Sequence, residues 1–366
     1  MADNSQVEAR YLRAALDAAR AARLFLEWME EASEQLAPAR SATLAEHTRQ
    51  HHGERLRACR TALDASPPPA ELAPFAQRLG EGFENIERAY ELFTSFEVAP
   101  PPQRIAYILG ALHHVARAQE GFYQLRQGLP PFADYWQVPG TTIADQPAKR
   151  GDDGAPATGV IHVSRGGHHG GFSLYVPEHY TPDRTWPLIV GLHGGSGNGR
   201  DFLWTWMREA KSREYLLVAP SAAADTWSAT DDRGLMEILD WLGRRYHLAA
   251  DRILLSGLSD GATFTLVYGL AHPDVYRALA PLCGVLHPAN EVLGNLGRAR
   301  GVPIYLVHGA QDFLFPVSLG RMARATLTAA GAALEYRELP ELSHTYPRSE
   351  NLRIISWFEG LPLRDR

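Results

Sequence analysis

Cysteine, lysine and long apolar runs are what this chain has least of, and each shortage removes a class of protein. With two cysteines in 366 residues, Cys59 and Cys283, there is no disulfide framework and no metal or redox spacing, so both thiols are expected to be reduced. No stretch approaches the roughly 18 consecutive apolar residues that read as a bilayer-spanning helix, and no membrane span is expected. Positive charge is not in excess: Lys and Arg total 36 against 42 Asp and Glu, a net charge of -6. That balance argues against nucleic acid or an anionic membrane as a partner. Lysine occurs only at Lys149 and Lys211, and with the abundant alanine this reads as a coding bias. The stretch Met1 to Arg10 carries early acids and lacks a basic segment, an apolar stretch and a small-residue cleavage site, which points to the cytoplasm. No internal repeat at a solenoid period is found.

What is present is an ordinary globular composition, 45% hydrophobic and 21% charged, in a chain longer than one core usually supports, so two units are expected. The first part is helical, punctuated by Pro67-Pro68-Pro69, Pro100-Pro101-Pro102 and Pro130-Pro131. Helices are predicted near 6–35, 41–64, 71–95 and 103–127. The third sets Phe75, Leu79, Phe83, Ile86, Tyr90 and Phe93 at steps of three and four, and the fourth sets Ile105, Ile108, Leu109, Leu112 and Val115 in the same way. Such stripes bury against one another as a four-helix bundle, residues 1–128. A stretch rich in Pro, Gly, Asp and Ala, residues 129–158, is expected to be a linker. From 159 to 366 short β-rich runs alternate with helical segments, the pattern of a mostly parallel sheet covered by helices.

Within that second unit Gly257-Leu-Ser-Asp-Gly261 follows the apolar strand Ile253-Leu-Leu-Ser256 and opens a helix from Ala262. A G-x-S-x-G between strand and helix is a nucleophile turn: the glycines relieve crowding, and Ser259 stands exposed above the carboxyl end of the sheet. A serine hydroxyl needs a base, and the base needs an orienting acid. On such a turn the acid and then the base follow along the chain. Asp312 lies in the loop after the strand Ile304–Val307, and His344 in the loop after Leu334–Glu338. Asp260, Asp274 and Glu341 compete for the acid, and His272, His287 and His308 for the base. Asp260 is too close to Ser259 to reach behind the imidazole, and His308 suits a structural role at the end of a buried strand. Two backbone donors must face the developing oxyanion. One is expected at Asp260, the other at Gly195 or Ser196 in the glycine-dense loop Gly191–Gly199, with His193 bracing the loop. That loop has no G-x-x-x-x-G-K-[ST], so it is not a phosphate cradle.

From about 159 to 360 the chain resembles the esterase branch of the α/β-hydrolases that includes polyhydroxybutyrate depolymerase-like and feruloyl esterase-like proteins and the phospholipase/carboxylesterase group. Leu192-His-Gly-Gly195, Gly257-Leu-Ser-Asp-Gly261 with His272-Pro-Asp274, and His308-Gly-Ala-Gln-Asp312 carry the resemblance. It implies carboxylic-ester hydrolysis through an acyl-enzyme, with no cofactor. Asp260 stands where a small residue or Gln is common, Gly284–Gly301 is too short for a large cap, and the first 150 residues lie outside the resemblance.

The expected activity is hydrolysis of small to medium esters, aromatic or polyester-derived ones included. The alternatives are a peptidase or thioesterase on the same triad, and a catalytically silent hydrolase fold used for binding. Trp204, Trp206 and Trp227, with Phe313, Leu314 and Phe315, are candidates for an apolar pocket, core packing being the competing role for each. His47 and His51 share a helix face at metal-ligand spacing beside His52, with His113 and His114 on the next helix but one, yet no Glu-x-x-His pairing supports a metal, and none is expected. His168 and His169 receive no role. The helical unit is a candidate cap, homodimer interface or partner-binding surface.

Overall fold

The computed structural model describes residues 2–151, 156–164 and 169–362, and divides into two compact units, residues 1–136 and 137–366. Asp152 to Ala155 of the expected linker, and Gly166, Gly167 and His168 of the expected hairpin loop, lie outside the described residues.

The first unit holds helices α1 (Ala2–Glu34), α2 (Ser41–Asp64), α3 (Ala73–Ser95) and α4 (Arg104–Leu125). Pro74 opens α3, where a missing N–H costs nothing. Its stripe Leu79, Phe83, Ile86 and Phe93 is fully buried, as its spacing predicts. On α4 the buried face is instead Ala111, Val115, Ala118 and Phe122, while Ile105 and Leu109 stand 60% and 44% exposed. Small residues explain the rotation: Gly82 of α3 lies against the Phe122 ring, and Gly121 backs onto Gly82. Close approach there turns the bulkier aliphatics outward. Residues 129–136, assigned to the linker on composition, form a turn whose Phe132, Tyr135 and Trp136 are buried in this unit.

The second unit is built on one eight-stranded sheet in the order β1-β2-β4-β3-β5-β6-β7-β8. Its strands are β1 (Gly159–Val163), β2 (Phe172–Val176), β3 (Trp186–Leu192), β4 (Leu216–Pro220), β5 (Leu248–Leu258), β6 (Ala278–Leu282), β7 (Pro303–Gly309) and β8 (Ala333–Leu339). The β1–β2 and β2–β4 pairs are antiparallel, and every other pair is parallel. Helices α5 (Gly199–Ser212), α6 (Asp231–Gly243) and α7 (Asp260–Ala271) interleave with β3 to β6. Two single-turn helices, α8 (Ala289–Val292) and α9 (Asn295–Arg298), precede β7, and α10 (Val317–Ala329) and α11 (Asn351–Glu359) follow it. This is the α/β architecture that the alternating pattern predicts.

Strands β4, β6 and β7 are buried at every position, which is why they read as unbroken apolar runs: a parallel strand covered on both faces has no polar side to show. β8 mixes exposed and half-buried positions, as suits an edge. From β3 the chain goes first to β4 on one side and then to β5 on the other. The loops leaving β3 and β5 therefore diverge at a switch point, and the crevice there is where open parallel sheets bind ligands. Among the described residues no helix is long and apolar enough to cross a membrane.

Candidate active site

Strand register brings the loops of interest together. Leu192 at the end of β3 pairs with Gly257 at the end of β5, so His193 and Gly194 run beside Leu258 and Ser259. Ser259 sits at φ 55°, ψ -113°, a conformation L-residues rarely adopt. Its N–H donates to Leu282 O at 2.9 Å, and its carbonyl accepts from Thr263 N–H at 2.9 Å. The turn closes only because its flanks lack Cβ atoms. One on Gly257 would lie 2.4 Å from Gly261 O, and one on Gly261 would lie 2.4 Å from His193 O.

The two residues expected downstream meet this serine. Ser259 Oγ lies 2.8 Å from His344 Nε2, and His344 Nδ1 lies 2.8 Å from Asp312 Oδ2. A carboxylate accepts only, so Nδ1 carries the proton and Nε2 is left to accept the Ser259 hydroxyl proton. The Asp312 side chain is fully buried and that of His344 is 11% exposed. The other oxygen of Asp312 accepts from Leu314 N–H at 2.9 Å and Phe315 N–H at 2.7 Å. These two backbone donors satisfy an oxygen that is out of reach of water. His308, fully buried, donates Nε2–H to Phe315 O at 2.8 Å and so braces the same loop. The Cys283 thiol, buried near Asp312, is pushed up to about 12 by burial first and by the carboxylate second. It stays protonated and is no rival nucleophile.

Around Ser259 the donors divide. Gly194 runs so close that a Cβ there would lie 3.6 Å from Ser259 Cβ. Among the described residues the N–H groups of Gly195 and Asp260, next to Gly194 and Ser259 in the chain, bond to no protein acceptor. Ser196 is different, and its assignment as a donor is corrected: its N–H already donates to Asp225 O at 2.7 Å, with the residue at φ 59°. A hydrogen bonded within the protein is not offered to a substrate. His193 braces its loop as a neutral imidazole, donating Nδ1–H to Gly194 O at 2.6 Å and accepting Ala222 N–H at Nε2 at 3.0 Å. Burial holds its pKa below the ordinary value, as that acceptor role requires. Burial likewise raises the Asp260 carboxyl, a trend opposed by the Trp227 N–H and reinforced by Asp231.

The aromatic candidates separate by exposure. Trp204 and Trp206 are 2% and 0% exposed, within the packing of α5. Trp227 is buried too: its indole N–H donates to His193 O at 2.8 Å and its backbone N–H to Asp260 Oδ2 at 2.7 Å. It also lines a hollow of about 290 Å³ together with Ser221, Thr230 and Asp231, and none of Ser259, His344 and Asp312 is in that lining. Phe315 and Phe313 stand roughly perpendicular to the His344 ring, at 89° and 75°, with centroids 5.1 and 6.4 Å away. Phe313 and Leu314 are 56% and 55% exposed. No residue pattern announced the carbonyl of Asp225 or the carboxylate of Asp260 as loop anchors, because both act across loops that meet only in the fold. Among the described residues no three or more His, Cys, Asp or Glu side chains gather as a metal site would need.

Residues 233–358 match the phospholipase/carboxylesterase family. The bifunctional acetylxylan esterase/xylanase XynS20E of Neocallimastix patriciarum is 29% identical over 146 residues, 38% of this chain and 21% of that protein. The carboxylesterase SOBER1 of Arabidopsis thaliana is 27% identical over 110 residues, 30% of this chain and 48% of that protein. Lysophospholipase-like protein 1 of Mus musculus is 29% identical over 109 residues, covering 29% of this chain and 45% of that protein. The chain thus spans less than half the length of each of these relatives. Among solved structures, a thermostable esterase is similar with a TM-score of 0.47 and 22% identity, covering 55% of this chain and 61% of that chain. An acetyl xylan esterase from Aspergillus awamori has a TM-score of 0.45 and 14% identity, with 55% and 98% covered. Over residues 233–358 the second unit is thus similar to the phospholipase/carboxylesterase family, and its sheet is of the mostly parallel α/β kind.

Proposed function

We propose that the second unit is a carboxylic-ester hydrolase in which Ser259 is the nucleophile, His344 the general base and acid, and Asp312 the residue that orients the imidazole. One observation carries the reading: the continuous relay from the buried Asp312 carboxylate through His344 to the Ser259 hydroxyl, with both contacts at 2.8 Å. Relatives named carboxylesterase and acetylxylan esterase support ester bonds as the target.

In the first half-reaction Ser259 Oγ bonds to the acyl carbon while its proton passes to His344 Nε2. The carbonyl electron pair moves onto oxygen, which the N–H groups of Gly195 and Asp260 receive. Collapse of this intermediate breaks the bond to the alkoxy group, which takes the proton from His344 and leaves as the alcohol. Water then attacks the acyl-enzyme, with His344 again as base, and releases the carboxylic acid and free Ser259. Asp312 stabilises the imidazolium by accepting its Nδ1–H. Phe313, exposed beside His344, and Leu314, exposed next to it in the chain, favour small to medium substrates with an apolar or aromatic group at that side.

Ser259→Ala is expected to lower kcat on p-nitrophenyl butyrate by about 10⁴-fold or more, and to abolish covalent labelling by a fluorophosphonate. Wild-type hydrolysis by that variant overturns the reading. A matched ester, thioester and amide panel is expected to rank the ester first.

A further inference from the structure

The loop after β4, residues 221–230, reaches both sides of the nucleophile. To the loop after β3 it is stitched by four hydrogen bonds: Ala222 N–H to His193 Nε2 at 3.0 Å, Trp227 Nε1–H to His193 O at 2.8 Å, Ser196 N–H to Asp225 O at 2.7 Å, and Gly199 N–H to Ser221 Oγ at 2.9 Å. To the nucleophile turn it is joined through the Asp260 carboxylate, whose Oδ2 accepts Trp227 N–H at 2.7 Å. The Trp227 ring stacks on Phe264 of α7, with centroids 5.6 Å apart and planes at 22°. Asp260 Cβ lies 4.0 Å from where a Cβ on Gly195 would stand. So the two unspent N–H groups belong to separate chain segments, and a third segment, anchored on Asp260, spans them.

An oxyanion cradle of two donors works only if their spacing is held before the charge develops. We infer that Asp260 serves this site twice: its N–H is one oxyanion donor, and its carboxylate is a positioning residue that holds Trp227 and, through Trp227, the Gly195 donor in register. The role rests on the ester-hydrolase reading above. A different role for the same carboxylate is to favour the first turn of α7 through the helix dipole, which any acid there does. The two differ in what they ask of the side chain. A dipole partner needs the charge, whereas the positioning role needs an acceptor for Trp227 N–H. A negative charge close to a forming oxyanion also opposes catalysis, so an anion is not kept there for its own electrostatic benefit to the reaction.

The test compares Asp260→Ala, Asp260→Asn and Trp227→Phe in the full chain, on p-nitrophenyl butyrate, with Ser259→Ala as the control. Asp260→Ala is expected to lower kcat roughly 10- to 100-fold with KM within about twofold, the signature of a displaced transition-state donor. Affinity for a trifluoromethyl ketone, which mimics the oxyanion, is expected to fall by the same factor as kcat/KM. Asp260→Asn keeps an acceptor without the charge and is expected to recover most of the lost kcat. Trp227→Phe keeps the backbone N–H to Asp260 but removes the bond to His193 O. It is expected to lower kcat as well, which tests the bridge even where Asp260→Ala fails to fold. A wild-type kcat for Asp260→Ala, or an Asn variant as slow as the Ala one, overturns the inference. With Ser259→Ala inactive, such a result sinks this role alone. With Ser259→Ala active, it is the hydrolase reading that fails.

Discussion

Backbone strain at Ser259 is tolerable because neighbours over-determine it. A non-glycine residue at φ 55°, ψ -113° costs about 1–3 kcal/mol. Its N–H and C=O are nevertheless both bonded, and Gly257 and Gly261 pack backbone against backbone on either side. Gly261→Ala therefore forces a methyl into the carbonyls of Leu192 and His193. We expect a loss of roughly 1–3 kcal/mol in urea unfolding, with kcat falling further than the residual folded fraction explains. Both glycines were legible from the motif, because the chemistry demands a turn too tight for Cβ. That the side chains of Ser259, His344 and Asp312 meet was legible in advance because each residue follows a strand in the expected order. Ser196 could not be judged that way. Whether its N–H is free depends on Asp225 O, a partner supplied by another loop and marked by no pattern of side chains.

At the scale of elements, the strands were legible wherever both faces are covered, since β4, β6 and β7 have no reason to alternate. The helices α8 and α9 escaped notice because one turn is too short to show a period of 3.6. On α4 the periodicity is real but the choice of buried face was made by Gly82 and Gly121, which a hydrophobic pattern does not weigh. Helix α2 has a property of its own. His52 packs edge-on against Phe25, while His47 stacks on His51 at 3.9 Å and lies against Trp28. Burial first, then His47, His51 and Arg55, lower the His52 pKa from 6.5 to about 4. The folded chain resists a proton that the unfolded chain accepts, so His52 contributes fully above 6.5 and that contribution is lost as pH falls toward about 4. The thermal midpoint of the full chain should decline across this window. His52→Phe, which removes the proton acceptor and keeps an aromatic contact, should make the decline shallower when followed by circular dichroism.

For the whole molecule, length and composition point to two units and to reduced thiols, and for physical reasons they have less to say about the helical unit. Helices that bury stripes against one another advertise their packing and nothing of their purpose. The thiols are open to a direct check. Cys59 is half-buried with its thiol pushed up by burial, and Cys283 is fully buried at about 12. Ellman's reagent is expected to count two thiols per chain in denaturant, while Cys283 stays unreactive in the native protein at neutral pH. A native count of two fast thiols contradicts that burial. The loop carrying Asp312 has a consequence of another kind. Its backbone is committed to the acid through Leu314 and Phe315 N–H, whereas the side chains of Phe313 and Leu314 stand in solvent, that of Phe313 beside His344. Mutation can therefore rewrite those two exposed side chains without disturbing the carboxylate beneath them. Under the ester-hydrolase proposal, heritable drift in substrate preference has a permissive address there, a few residues from machinery that allows almost none.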